Sequence, residues 1–215
     1  DYLADLARRI GHKLQVRLVK GAYWDAEVKR AQMEGLADYP VFTRKQNTDV
    51  SYLACAKRLF GHSDAIYPMF ATHNAHTIAS IKVIAQGRTY EHQKLHGMGD
   101  DLYAEVVPAD RLNVPCRVYA PVGSHEDLLP YLVRRLLENG ANSSFVNRVT
   151  DESVAIDELI RNPVAAVEAF DSIRHPKIPL PRDLLRSQNH DRTNSMGINF
   201  ADDNVLKALA AQLGL

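Results

Sequence analysis

The sequence predicts an α/β fold: about four consecutive strand-then-helix units, read as part of an eight-stranded β/α barrel of the TIM type. Three observations carry this expectation. Short apolar stretches alternate with helical patterns between Leu14 and Glu138, which argues for a parallel sheet with right-handed crossovers. Each stretch read as a strand ends in residues that a strand does not need: Lys20-Gly21, Thr72-His73-Asn74, Leu95-His96-Gly97 and Pro121-Val122-Gly123. Function spread over consecutive strand ends suits a barrel mouth. An open doubly wound sheet also fits the alternation, but it concentrates its site at one switch point. Finally, no GxGxxG follows any of the strands, which disfavours a nicotinamide-type nucleotide fold.

Taken in order, Leu3, Leu6, Ala7 and Ile10 recur at helical spacing and Gly11 follows as a stop. Residues 14–19 read as the first strand, and a helix from about Asp25 to Gly35 follows. The stretch DYPVFTRKQNTD reads as a loop, with Asp49 as the N-cap of a helix running through Leu59. Ile66 to Ala71 is a strand, and NAHTIASIKVIAQ is the helix after it. Tyr90 to Leu95 is a weaker strand, GDDLYAEVV a short helix and CRVYAPV the fourth strand. Ser124 caps a helix from His125 to Glu138, which stops at Asn139-Gly140. Beyond Leu159 the texture changes. Pro176, Pro179 and Pro181 exclude a helix or a central strand, so residues 161–190 read as an extended linker. Residues 191–215 contain a short amphipathic helix, ADDNVLKALAAQL, read as the opening of another domain.

Of 215 residues, 46% are hydrophobic and 24% charged, the balance of a globular protein with one sizeable core. Lys+Arg and Asp+Glu both total 26, so no basic surplus points to nucleic acid. No apolar run approaches the roughly 18 residues of a membrane span. No signal-peptide pattern is present, and Cys55 and Cys116 are far apart without metal-type spacing. Together these features set the expectation of a cytoplasmic protein with two reduced thiols.

Arg17 shares strand parity with Gln15 and Val19, opposite Val16, Leu18 and Lys20. A buried arginine is either paired in a structural ion pair or aimed at a ligand. Gly21 permits close backbone approach, and Tyr23 and Trp24 are either stacking surfaces or core aromatics. In THNAH, His73 and His76 are three apart, but no third metal ligand is near, so no metal is expected. The backbone N–H groups of Asn74 to His76 would favour an anionic oxygen, with His73 and Asn74 donating to it. The bland alternative is a cap plus a core histidine. In YLVRRLLENGANSSF, Leu129, Leu132, Val133, Leu136 and Leu137 make an apolar stripe. Tyr131, Arg134, Arg135 and Glu138 make a polar one, at i, i+3, i+4 and i+7. That polar stripe is a solvated face or a carboxylate clamp, because the planar guanidinium fork binds carboxylates in bidentate fashion. Lys20, at a strand end, also suits a Schiff-base amine of a lyase- or aldolase-like barrel. These residues point to a binding mouth for an anionic, partly aromatic ligand without identifying a reaction.

The stretches VRLVKGAYWD, YPVFTRKQNTDVSYLACAKRL, FATHNAHTIASI, LHGMGDDLYAEV, RVYAPVGSHEDLLPYLVRRLLENGANSSFV and HPKIPLPRDL follow one another over nearly all of residues 1–185. Together they resemble the proline dehydrogenase domain of the bifunctional bacterial flavoenzymes called proline utilization A. RTNSMGINFADDNVLKAL looks like the start of that family's second module, an aldehyde dehydrogenase that consumes the first module's product. The resemblance implies a (β/α)8 barrel of the proline dehydrogenase type with FAD at its mouth, residues 1–160 being its carboxyl-terminal half. It implies FAD-dependent oxidation of L-proline to pyrroline-5-carboxylate, the first step of proline catabolism to glutamate. A hydride would pass from proline C5 to flavin N5 and electrons on to a membrane quinone, with peripheral membrane association in the full-length family members.

By the same resemblance, Arg17 would lie beside flavin N5. Val19, Gly21, Tyr23 and Trp24 would line the flavin and its adenosine part. Thr43, Arg44 and Lys45 would lie near the phosphates and ribose, and Thr72, His73 and Asn74 near the pyrophosphate and ribityl chain. Gln93 would touch the isoalloxazine edge, and Glu138, Ser144 and Phe145 would complete the pocket. Arg134 and Arg135 would clamp the proline carboxylate, with Tyr119, Tyr131 and Leu95 packing the pyrrolidine ring. The family's earlier strands, which bring a lysine and an aspartate to the proline pocket, have no counterpart in these residues. Full activity is therefore expected to need that other half. The rival expectation is a non-catalytic half-barrel that keeps part of the flavin or anion site.

Overall fold

The computed structural model describes the backbone of residues 1–21, 23–140, 151, 153–186 and 193–214, and their side chains except those of 137–140. The chain divides into two compact units, Asp1–Ala22 with Thr48–Glu168, and Tyr23–Asn47 with Ala169–Leu215. In the first unit, helix α1 (Tyr2–Ile10) leads into strand β1 (Leu14–Leu18). Helix α3 (Lys45–Gly61), which belongs to this unit from Thr48 on, precedes β2 (Ile66–Ala71). Helix α4 (Ala75–Ala85) precedes β3 (Glu91–Leu95), and the short α5 (Asp100–Ala104) precedes β4 (Cys116–Tyr119). Helix α6 (His125–Gly140) follows.

The four strands are parallel and lie in the order β1-β2-β3-β4, each paired with the next. A doubly wound sheet reverses direction at its switch point; among the described residues these four strands wind in one direction. The sheet is the arc of a β/α barrel, as the strand ends lead one to expect. Arg17 stands opposite Met69, Met69 opposite Glu91, Gln93 opposite Arg117 and Leu95 opposite Tyr119. Because side chains alternate along a strand, those residues share one face. Leu18, Phe70, His92 and Cys116 lie on the other, which packs on the helices.

Phe70 is wholly buried at the centre of that core, its ring centroid 5.3 Å from Phe60, 5.7 Å from Tyr90 and 6.5 Å from Tyr52. Ile78, Ile81 and Ala85 of α4 close over it. A smaller cluster joins Ala4 and Ala7 of α1 to Ala65 and Ile66. The helical spacing of Leu3, Leu6, Ala7 and Ile10 is real, but Leu3 and Ile10 are about half exposed and the two alanines make the contact. Small side chains are what let this helix lie close to the start of β2. Helix α3 begins at Lys45, earlier than expected, so Asp49 is not an N-cap: its carboxylate accepts from Lys20 Nζ at 2.6 Å instead. Ser124 does cap α6, its Oγ accepting from the Asp127 N–H at 3.2 Å and donating to the Asp127 carboxylate at 2.7 Å.

The second unit holds α2 (Trp24–Glu34), the irregular stretch 36–44 and the proline-rich segment. Residues 170–179 strap the irregular stretch. Tyr39 OH donates to the Pro179 carbonyl (2.8 Å), Arg174 pairs with Asp38 (2.7 Å), and Asn47 Nδ2 donates to the Ile173 carbonyl (2.8 Å). The strap itself is extended, with a single 3-10 turn at Pro181–Asp183, as its prolines require. At the end of α2, Gly35 has φ 61° and its carbonyl accepts from the Gly197 N–H at 2.9 Å. A Cβ on Gly35 would collide with the Ser195 carbonyl oxygen, so glycine is required there twice over. A further helix, Asp203–Leu213, is capped by Asp202, matching the amphipathic pattern read there.

His92 is fully buried among Phe70, Tyr90 and Tyr103, with Nδ1 3.3 Å from the Phe70 carbonyl. Burial lowers its pKa from 6.5 to about 4, the carbonyl offsetting part of that effect. The unfolded chain therefore takes up the proton first as pH falls. The stability due to neutral His92 is fully present above pH 6.5 and is lost as pH falls towards about 4. The total is roughly 3 kcal/mol. The urea midpoint of the wild-type protein should fall more between pH 7 and pH 4.5 than that of His92→Phe. Equal falls would assign the pH dependence to other groups.

Candidate functional site

The open face of the sheet is polar towards the carboxyl ends of its strands. Arg17 stands exposed on it, not buried as its place inside a strand suggests, as does Gln15 on the same face. Arg17 Nε donates to Gln93 Oε1 at 2.8 Å, and the guanidinium carbon lies 4.8 Å from the centre of the Tyr119 ring. Gln93 is buried; its Nε2 donates to Glu91 Oε1 at 2.9 Å and meets Met69 Sδ at 3.2 Å. Glu91, buried too, is gripped by Arg117, with Nε on Oε1 at 2.9 Å and Nη2 on Oε2 at 3.0 Å. Burial pushes the Glu91 carboxyl up. The hydrogen bonds of Arg117 and Gln93, with the Arg117 charge, outweigh that and hold it below the ordinary carboxylate value.

A row therefore crosses β4, β3 and β1: Arg117, Glu91, Gln93, Arg17, with Tyr119 beneath the last. Sequence reasoning singles out Arg17, Gln93 and Tyr119 but misses Glu91 and Arg117. The shared parity of Glu91 and Gln93 in EHQKL is a signal, yet only the register across strands shows what they meet.

Helix α6 brings its polar stripe to the same end. Burial raises the Tyr119 phenol above its ordinary value, and Arg17, Tyr131 and Arg135 act on it in turn, so these groups are neighbours. Arg135 lies over the Tyr131 ring at 5.5 Å. Tyr131, Arg134 and Arg135 are half-buried, whereas Leu129, Leu132, Val133 and Leu136 are exposed. The polar stripe faces the protein and the apolar one does not, the reverse of an ordinary amphipathic helix. The solvated-face reading of the arginines is thereby corrected. The Glu138 side chain, Ser144 and Phe145 lie outside the described residues.

At the THNAH junction, His73 Nε2 accepts from the Leu95 N–H at 3.3 Å, which leaves the ring proton on Nδ1 as a donor. Burial, then the charges of Lys94 and Arg135, lower its pKa and keep it neutral. Asn74 is a cap first: its Oδ1 accepts from the Thr77 N–H at 3.0 Å, and its own N–H goes to Thr72 Oγ1 at 3.1 Å. Leu95 is buried. Lys20 faces the helices, donating to Asp49 at 2.6 Å and to Thr77 Oγ1 at 3.1 Å, over the ring of Tyr52. Parity puts it opposite Arg17, and its ion pair argues against a Schiff-base role. Gly21 has φ 79°, a left-handed turn, and no described protein atom lies within 4 Å of where its Cβ would be. Val19 is exposed.

In the second unit Trp24 Nε1 donates to the Phe42 carbonyl at 2.8 Å, and Tyr23 and Trp24 are both nearly half exposed, so they are not core aromatics. Thr43 Oγ1 accepts from the His175 N–H at 2.9 Å. Arg44 Nε donates to the Arg174 carbonyl at 3.3 Å, and its guanidinium carbon lies 4.0 Å from the centre of the Phe170 ring. Lys45 is exposed at the start of α3. Among the described residues no helix is long and apolar enough to cross a membrane.

Residues 1–148 match the family model for proline dehydrogenase. The chain belongs to the proline dehydrogenase family. It is 57% identical to the bifunctional protein PutA of Escherichia coli (strain K12), over 99% of this chain and 17% of that protein. Identity to the bifunctional protein PutA of Rhizobium meliloti is 53%, over 99% of this chain and 18% of the relative. The fold matches a crystal structure of Bradyrhizobium japonicum proline utilization A with a TM-score of 0.88 at 50% identity, covering 100% of this chain and 22% of that one. The chain thus spans 17–18% of the length of these curated relatives. Its four-stranded arc is a partial TIM-type barrel of the proline dehydrogenase type.

The Lys20–Asp49 pair is partly buried, at 27% and 20% side-chain exposure. Lys20→Met should destabilise the protein by about 1.5–3 kcal/mol, because it removes a partly buried cation from the Asp49 carboxylate. Adding Asp49→Asn should recover part of that loss. Urea unfolding measures both, and an unchanged midpoint in Lys20→Met would show that the pair contributes nothing.

Proposed function

We propose that this chain supplies the carboxyl-terminal half of a flavin-dependent proline dehydrogenase, which oxidises L-proline to pyrroline-5-carboxylate. Family membership and the likeness to PutA over 99% of the chain support this reading. The observation that carries it is Arg17, held on the open face between Gln93 and Tyr119, with the arginine-bearing stripe of α6 turned towards the same strand ends.

The donor set fits FAD. It offers a guanidinium and an amide on the barrel face, a histidine with Nδ1–H at the start of α4, and two tyrosines. When bound, FAD supplies the two-electron acceptor that the oxidation of proline requires. Arg17, Val19, Gly21 and Gln93 would hold its ring system, and Thr72, His73 and Asn74 its pyrophosphate and ribityl chain. Glu138, Ser144 and Phe145 belong to the same proposal. From the second unit, Tyr23 and Trp24 are proposed for the adenosine part and Thr43, Arg44 and Lys45 for phosphates and ribose. Thr43 and Arg44 would act with residues 174–175 in place, since their Oγ1 and Nε are bonded to that backbone.

Arg134 and Arg135 would bind the proline carboxylate, and a planar fork fixes both its position and its tilt. Tyr119, Tyr131 and Leu95 would pack the pyrrolidine ring. With carboxylate and ring both held, C5–H has one direction left, which is how positioning lowers the barrier. Residues 1–160 would be the half-barrel, 161–190 a linker and 191–215 the start of an aldehyde dehydrogenase module. Residues 149–215 lie beyond the family model but within the PutA likeness, which supports that division. Electrons would pass to a membrane quinone, from a cytoplasmic protein attached peripherally to the membrane. A second reading, a half-barrel that binds the anion without turning over proline, rests on the polar row and the α6 arginines alone.

The visible absorption spectrum separates the two. With the other half of the barrel present in the same protein, a flavin band that bleaches when L-proline is added is expected; a colourless protein, or a band indifferent to proline, would overturn the proposal. In the active protein, Arg135→Met should raise KM for L-proline at least ~tenfold, the worth of one charge-assisted contact. A loss confined to kcat would remove Arg135 from the carboxylate clamp.

A further inference from the structure

We infer that Glu91 is a positioning residue: anchored by Arg117, it fixes the Gln93 amide so that its carbonyl meets Arg17, and thereby sets the place of the guanidinium. The Gln93 amide has two ways round. Its oxygen and nitrogen are nearly the same size, so only partners decide which way it points. Glu91 only accepts hydrogen bonds and Arg17 only donates them. Between the two, the amide has one orientation that satisfies both, and it is the one observed, with 2.9 Å to Glu91 and 2.8 Å to Arg17. A flip would set NH2 against N–H and oxygen against carboxylate, two repulsive contacts in a site where Gln93 and Glu91 are buried. Met69 Sδ, at 3.2 Å, takes up the remaining direction of Gln93 Nε2.

A strand needs no charge at position 91, and burying a carboxylate there costs free energy. Arg117 compensates it with a bidentate grip from a side chain 56% exposed, against 7% for Glu91. The row is thus tied down at its solvent end and delivers its order at Arg17, where Tyr119 holds the other side of the guanidinium at 4.8 Å. Glu91 touches neither Arg17 nor the α6 stripe among the contacts described; it acts through Gln93.

The test reads the Arg17 Nε–H by NMR in 15N-labelled protein, its cross-peak identified by its loss in Arg17→Lys. The wild type should show a slowly exchanging peak. Glu91→Gln should speed its exchange by ~tenfold or more, the equivalent of one lost hydrogen bond. The double change Glu91→Gln with Gln93→Glu should bring the peak back, because the introduced carboxylate accepts from Arg17 while the introduced amide donates to it. A merely structural Glu91 predicts no such recovery. An Arg17 N–H that exchanges in the wild type as fast as an unbonded one overturns the inference, whether or not the variants fold. The consequence for catalysis rests on the proposed function. There, Glu91→Gln should lower kcat for L-proline by ~tenfold to a hundredfold, with KM changed less than ~threefold, because the carboxylate clamp on α6 is untouched. A wild-type protein without flavin would sink the proposed function and leave the NMR result standing. A flavin-loaded protein in which Glu91→Gln alters neither the Arg17 peak nor kcat would sink the inference alone.

Discussion

The parallel register between β2 and β3, with Met69 opposite Glu91 and Phe70 opposite His92, is the constraint on which both faces of the sheet depend. Strand side chains alternate, so a slip of one residue would exchange the two sets. Phe70 would leave the aromatic core, and Glu91 would enter it as an unpaired charge. Burial of Phe70 with Phe60, Tyr90 and the α4 aliphatics therefore does two things at once. It drives the helices onto the sheet, and it turns Arg17, Glu91, Gln93 and Tyr119 to the opposite side in a fixed order.

Two charged groups show how finely that division works. Lys20 and Arg17 are three residues apart and of opposite parity. Lys20 is spent on Asp49 and Thr77 within the helix layer, where its ion pair helps tie β1 to α3 and α4. Arg17 is spent on Gln93 and Tyr119, on the face where a ligand can reach it. Lys20, just past the end of β1, is thus tied into the helix layer and Arg17, within it, into the polar row, and the direction of the side chain separates them.

Helix α6 extends the theme. Its leucines and valines are exposed, and its tyrosine and arginines turn inwards. Turning the polar stripe inwards makes chemical sense if a carboxylate is to be held there, and family membership makes proline the substrate we propose. The second unit uses its extended proline-rich segment for another end, to give the irregular stretch 36–44 a defined path. Neither segment has enough regular hydrogen bonding of its own to do so.

The sequence by itself determined the strand and helix alternation, the parity of Arg17 against Val16, Leu18 and Lys20, the polar residues at strand ends such as Lys20 and His73, and the single stripe that carries Arg134 and Arg135. Those features are local: they follow from periods of two and 3.6 and from caps such as Ser124 and Asn74. The long motifs also carried the family. What only the tertiary structure decided is non-local. Asp49 left its expected cap for Lys20, and Arg17 turned out exposed. Small Ala4 and Ala7 made the α1 contact, and Glu91 and Arg117 joined the row that orients Arg17. Each of these depends on a partner tens of residues away, and a register across strands is set by the sum of core contacts, which no single stretch of sequence contains.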